Sequence, residues 1–100
     1  MKKIEYSTYV ILLSHTGKGA IKDSARSHAA YLKSLDEKGQ LILGGPFSDY
    51  KGGMVIVQAG SYEEAKKIAE LEPCVKEGFE SYEIRTWELA HEGSNYLMTE

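Results

Sequence analysis

The stretch Tyr9-Val10-Ile11-Leu12-Leu13 decides the fold. It is a short, unbroken apolar run with β-branched residues at its centre, and it reads as a strand. Successive side chains of a strand point to opposite faces. Val10 and Leu12 therefore cannot share a face with Ile11 and Leu13, so both faces of this strand are apolar. Met54-Val55-Ile56-Val57-Gln58-Ala59 has the same character.

Working outward, His15-Thr16-Gly17-Lys18-Gly19-Ala20 breaks the first strand as a loop. Asp23 or Ser24 is placed to cap the helix that follows. Its apolar stripe is Ala25, Ala29, Leu32 and Leu35. His28 falls on the same face, because positions 28, 32 and 35 are spaced four and three apart. Gly39, after Lys38 in the last turn, ends the helix. Leu41 to Phe47 is a second strand, and Pro46 assigns its end to a sheet edge. Ser48 to Gly53 has hairpin chemistry and leads into the apolar third strand.

Ser61 with Glu64 is a capping box, so a second helix runs over 62–71, with Ala65, Ile68, Ala69 and Leu71 on its buried side. Pro73 stops it, and 72–78 is a loop or short turn. Tyr82 to Leu89 is the fourth strand. Residues 1–90 form one domain and 91–100 a C-terminal tail without pattern.

The order β-α-β-β-α-β predicts an α+β, ferredoxin-like split βαβ fold: a four-stranded antiparallel sheet with two helices on one face. Strands one and three are central in that topology. Two helices cover one face only, so the apolar residues of the other face need a partner. A homodimer packed sheet to sheet is the expected solution; a tail folded over the sheet is the alternative.

The chain has 100 residues, with 12 Lys and Arg against 15 Asp and Glu and a net charge of −3. No basic face is evident to neutralise phosphates, which argues against nucleic-acid binding. A chain of this length buries only about 60–68% of its unfolded surface, so its own core is thin. The single cysteine, Cys74, excludes an internal disulfide and a cysteine-cluster zinc site, and suits a reducing cytoplasm. The opening Met1-Lys2-Lys3 is followed by Glu5 and too short an apolar run to read as a signal peptide. No run is long enough to span a membrane.

The topology gathers chemistry at one end of the sheet. His15 ends the first strand, His28 lies near the start of the first helix, Asp49 follows the second strand, and the 73–78 loop shares that rim. A histidine with a carboxylate holding one ring nitrogen is the minimum for acid/base work near neutral pH. His28 and Asp49 are the catalytic candidates, with Arg26 or Ser48 as contacts to a substrate oxygen. Each also has a bland reading: a satisfied helical histidine, a turn-forming aspartate, a solvated arginine. No histidine pair has helical metal spacing, so no metal or cofactor is expected. Cys74 reads as a small buried hydrophobe rather than a nucleophile. Gly17-Lys18-Gly19 lacks phosphate-loop spacing.

Arg26-Ser27-His28-Ala29-Ala30-Tyr31-Leu32 and Gly39 through Gly45-Pro46-Phe47-Ser48-Asp49 resemble the YciI-like (YCII-related) family. So do Gly52-Gly53, Ser61 to Ala65, Glu72-Pro73, Gly78 and Tyr82 to Trp87, so the likeness covers about residues 6 to 89. It implies a dimeric α+β barrel of ferredoxin-like subunits with a site on a His and an Asp, which fall on His28 and Asp49. Where the family carries Asp-Pro, this chain has Glu72-Pro73, a carboxylate one methylene longer. Some relatives are linked to dechlorination of chlorinated hydroxyquinols, and muconolactone isomerases share the fold. The resemblance therefore implies a small lyase or isomerase, with His28 as general acid/base, Asp49 as its orienter and a small-molecule substrate. The rivals are a non-enzymatic binding or sensing module, an oxygenase of the same superfold acting without metal or on haem, and a structural partner protein.

Overall fold

The computed structural model describes residues 6–18 and 22–98, with the side chains of 22–25 left out. The elements are β1 (Ser7–His15), α1 (Lys22–Glu37), β2 (Leu41–Pro46), β3 (Gly52–Ala59), α2 (Tyr62–Glu70), α3 (Pro73–Lys76) and β4 (Glu80–Trp87). The sheet order is β2-β3-β1-β4, and every neighbouring pair is antiparallel. This is the expected α+β ferredoxin-like order with β1 and β3 central. No helix among the described residues is long and apolar enough to cross a membrane.

Strand alternation divides the sheet as its sequence dictates. Tyr9, Ile11 and Leu13 of β1, Val55, Val57 and Ala59 of β3, and Ile84 of β4 are buried against Leu35 of α1 and Ala65, Ile68 and Ala69 of α2. Tyr31 of α1 packs on this core, and its hydroxyl donates to the Ile68 carbonyl at 2.8 Å, tying the two helices together. Ala29, expected on the buried stripe, is exposed instead. It sits a full residue step around the helix from His28, and Tyr31 fills the position that faces α2. The helix is already formed at Lys22, so Asp23 and Ser24 fall in its first turn rather than at a cap. Their side chains, and that of Ala25, lie outside the described residues, as does the Gly19-Ala20 part of the preceding loop. Gly39 ends α1 with φ of 73°, the left-handed conformation that favours glycine.

The opposite face carries Val10 and Leu12, paired with Ile56 and Met54. Leu41 and Leu43 would share a face in a regular strand. A register shift between them sets Leu41 opposite Val57 and Leu43 opposite Ile56, which moves Leu43 to the open face. Leu43 is 65% exposed and Trp87 46% exposed.

Ser61 caps α2 by accepting from the Glu64 amide at 3.1 Å. The return arm of the expected capping box reaches one residue further back, where Glu64 accepts from the Gly60 amide at 3.3 Å. Ser61→Ala leaves that helix amide without its acceptor and is expected to lower stability by about 1 kcal/mol, read as a shift of the urea unfolding midpoint.

Two boundaries differ from expectation in ways that bear on function. Residues 73–76 form a short helix rather than an irregular loop, and β4 starts at Glu80, two residues before the expected Tyr82. Beyond β4, Glu92–Leu97 winds as 3-10 turns capped by His91, so the tail has local structure that its sequence did not announce.

Candidate functional site

At the end of the sheet where β1 finishes and β3 begins, the helix-side core changes character. Leu13 and Val55 give way to His15 and Glu80, which face each other across β1 and β4. Above them lie His28 of α1 and Cys74 of α3. Together with Gly45, Pro46, Gly52 and Gly53, these residues line a cavity of about 190 Å³. A Cβ at Gly45 would meet nothing within 4 Å, whereas Gly52 and Gly53 lie tight against the backbone of the neighbouring strands.

His28 is held from beneath by Glu72. The Nδ1–Oε1 distance is 2.5 Å, with the carboxylate only 4% exposed and the imidazole 24% exposed. Glu72 is the N-cap of α3: its other oxygen accepts from the Val75 amide at 3.2 Å, and Pro73 occupies the first helical turn, where its missing N–H is no loss. One carboxylate thus satisfies a helix end and an imidazole together. The hydrogen bond that His28 donates to the Glu72 carboxylate raises the His28 pKa above 6.5; burial opposes this, and the negative charges of Glu72 and Glu80 add to it.

Glu80 forms a second acid–histidine pair on the cavity wall, with its Oε2 3.5 Å from His15 Nε2. Burial, then the neighbouring Glu72 charge, push its carboxyl above the usual 4.5, while His15, His28 and a hydrogen bond with Cys74 act in the other direction.

The structure brings His28, His15 and the 73–78 segment to one place, as the topology requires. Asp49 is not the hydrogen-bond partner of His28; that position is filled by Glu72, because the chain entering α3 passes directly beneath the helix that carries His28. Asp49 and Ser48 are exposed and line an adjoining open depression of about 790 Å³ with Thr16, Gly17, Tyr50 and Lys51. His15 lines both spaces and so joins them. Arg26 is exposed on α1, outside the lining of either.

Comparison with known proteins agrees with this architecture. The sequence profile of the YCII-related domain matches residues 8–88. The chain is 34% identical over 82 residues to the uncharacterized protein YjpA of Bacillus subtilis strain 168, an overlap of 82% of this chain and 95% of that protein. Among solved structures, the complex of 5-chloro-2-hydroxyhydroquinone dehydrochlorinase (TftG) from Burkholderia phenoliruptrix AC1100 with 2,5-dihydroxybenzoquinone superposes with a TM-score of 0.69. The identity there is 24%, over 81% of this chain and 93% of that one, which establishes a shared fold.

Proposed function

We propose, from the premise that this chain belongs to the YCII-related domain family, that it is a small acid/base enzyme of the lyase or isomerase type. It would move a proton on a small oxygenated substrate, with rings among the candidates. The observation that carries the reading is the 2.5 Å contact between His28 and the buried Glu72 carboxylate, on the wall of a cavity.

With Nδ1 engaged, Nε2 is the nitrogen left to exchange a proton with a bound molecule. Glu72 fixes the ring and stabilises the imidazolium that forms when His28 takes that proton. The Glu72 carboxylate raises the His28 pKa above its ordinary value, so the ring holds a proton more readily than a free imidazole and can return it to a bound molecule. Asp49 and Ser48, in the adjoining depression, are the groups we assign to substrate polar atoms or to a second proton. Arg26 keeps a role only for a substrate large enough to reach beyond that depression. The dehydrochlorinase that shares the fold, seen with 2,5-dihydroxybenzoquinone, supports hydroxylated rings as the first substrates to try.

The test is turnover of a panel of hydroxylated and chlorinated hydroquinones and unsaturated lactones by the wild type and by His28→Gln. The expected loss in the variant is about 10²–10⁴-fold, the usual contribution of a positioned acid/base. Equal turnover by both would overturn the reading, and binding of an intact ligand without turnover by the wild type would support the binding-module alternative.

We further propose that two copies pack through the open sheet face, since Val10, Leu12, Leu43 and Met54 lie there and none is fully buried in the single chain. The wild type is expected to sediment as a dimer at micromolar concentration. Leu43→Glu, at a side chain already exposed in the single chain, is expected to sediment as a folded monomer. A monomeric wild type would contradict this. A sequence with one cysteine, Cys74, suits a reducing compartment, and we assign the protein to the cytoplasm on that ground.

A further inference from the structure

His28 and Glu72 have a third neighbour that proton transfer does not use. The Cys74 thiol lies two residues beyond Glu72 and is 3% exposed. The ligand atoms of His28, Glu72 and Cys74 all lie within 4.8 Å of one another. Their arrangement follows from the cap of α3. Glu72 is the cap residue and Cys74 the second residue of the helix, so the turn delivers a carboxylate and a thiol to the same side, beneath the imidazole. Both His28 and Cys74 also line the 190 Å³ cavity.

We infer that this trio is a binding site for one divalent transition-metal ion of zinc's class, with three protein ligands and an open fourth position toward the cavity. One imidazole nitrogen, one carboxylate oxygen and one thiolate form a mixed donor set suited to zinc, and hard cations such as magnesium prefer oxygen alone. A tetrahedral ion with ordinary zinc bond lengths spaces such ligands by roughly 3.3–3.6 Å, so the His28–Glu72 contact must open from 2.5 Å by about an ångström while the thiol moves in from within 4.8 Å. Binding displaces the proton held between His28 Nδ1 and Glu72, together with the thiol proton. Glu80, already hydrogen-bonded to Cys74, stands as an acceptor and then as an outer partner for the coordinated sulfur.

Ion and proton compete for the same two atoms. The acid/base predictions therefore concern the metal-free protein, and the metal site stands on the geometry alone, independent of any catalytic reading.

The test is titration of metal-free full-length protein with Co²⁺, followed by absorption, and with Zn²⁺ in competition against a chromophoric chelator. The expected result is one ion per chain, with the intense visible bands of four-coordinate cobalt and a near-ultraviolet thiolate-to-cobalt band. Cys74→Ala is expected to remove the near-ultraviolet band, and Cys74→Ala, His28→Gln and Glu72→Gln each to weaken Zn²⁺ binding by at least about tenfold. A thermal melt of each variant establishes that it is folded. Weak octahedral-type cobalt bands in the wild type, substoichiometric binding, or affinity unchanged in folded Cys74→Ala would each overturn the inference.

Discussion

Glu72→Ala is expected to destabilise the fold by about 3 kcal/mol, because it removes one partner of a buried ion pair and leaves the other without compensation. The same substitution strips the Val75 amide of its acceptor at the start of α3. Glu72→Gln separates the two effects, since an amide oxygen can still cap the helix but carries no charge to favour the imidazolium. The pH dependence has a definite sign. The His28 pKa is raised in the folded chain above 6.5, so its contribution to stability is fully present below that value and is lost as pH rises through the folded-state value. Urea unfolding of the wild type and Glu72→Gln should therefore differ most in mildly acidic buffer and converge as the solution becomes alkaline. A gap that is constant with pH would mean that the pair is held by packing and not by charge.

Gly52→Ala is the second large effect. A Cβ at this position would lie 2.1 Å from the Leu13 carbonyl oxygen and 3.2 Å from the Ser14 Cα, both backbone atoms of the paired strand. No rotamer change relieves a clash with main chain, so β1 and β3 must separate where they form the floor of the site. A loss of about 3 kcal/mol is expected, at the upper end of what overpacking costs. In any fraction that still folds, the cavity beside His28 should be distorted, which ligand binding to the variant would report. Gly45→Ala provides the control, since a Cβ there meets nothing within 4 Å.

These two residues also mark where the sequence was readable and where it was not. The fold was legible because its signals are strong and local: two strands apolar on both faces, Gly39 closing α1, Ser61 and Glu64 opening α2. His28 was legible too, since helical spacing placed it beside Leu32 and Leu35 and topology brought it to the rim with His15. Its partner was not. Asp49 follows the end of β2 and was the carboxylate that topology favoured, but a loop of this kind carries its side chain into the open depression. Glu72 precedes a proline and read as the first residue of a loop or short turn after the second helix. The available signal was that an acceptor followed by proline is also how a helix begins, although glutamate is not among the preferred caps. Glu80 was missed because β4 was begun at Tyr82. Extending the alternation of Tyr82 and Ile84 back by one step puts Glu80 on the same, helix-facing side. The His28–Glu72–Cys74 trio escaped for a related reason. Its members sit 44 and two residues apart, a spacing with meaning only once α3 is known to pass under α1.

The central claim is that the fold holds His28 as an acid/base by means of Glu72. It is tested most directly by following the His28 ring resonances through a pH titration, using NMR on metal-free wild type and Glu72→Gln. The account predicts that the wild-type imidazole titrates above 6.5 and that the glutamine variant titrates lower. A His28 that titrates at the same pH in both proteins would contradict it.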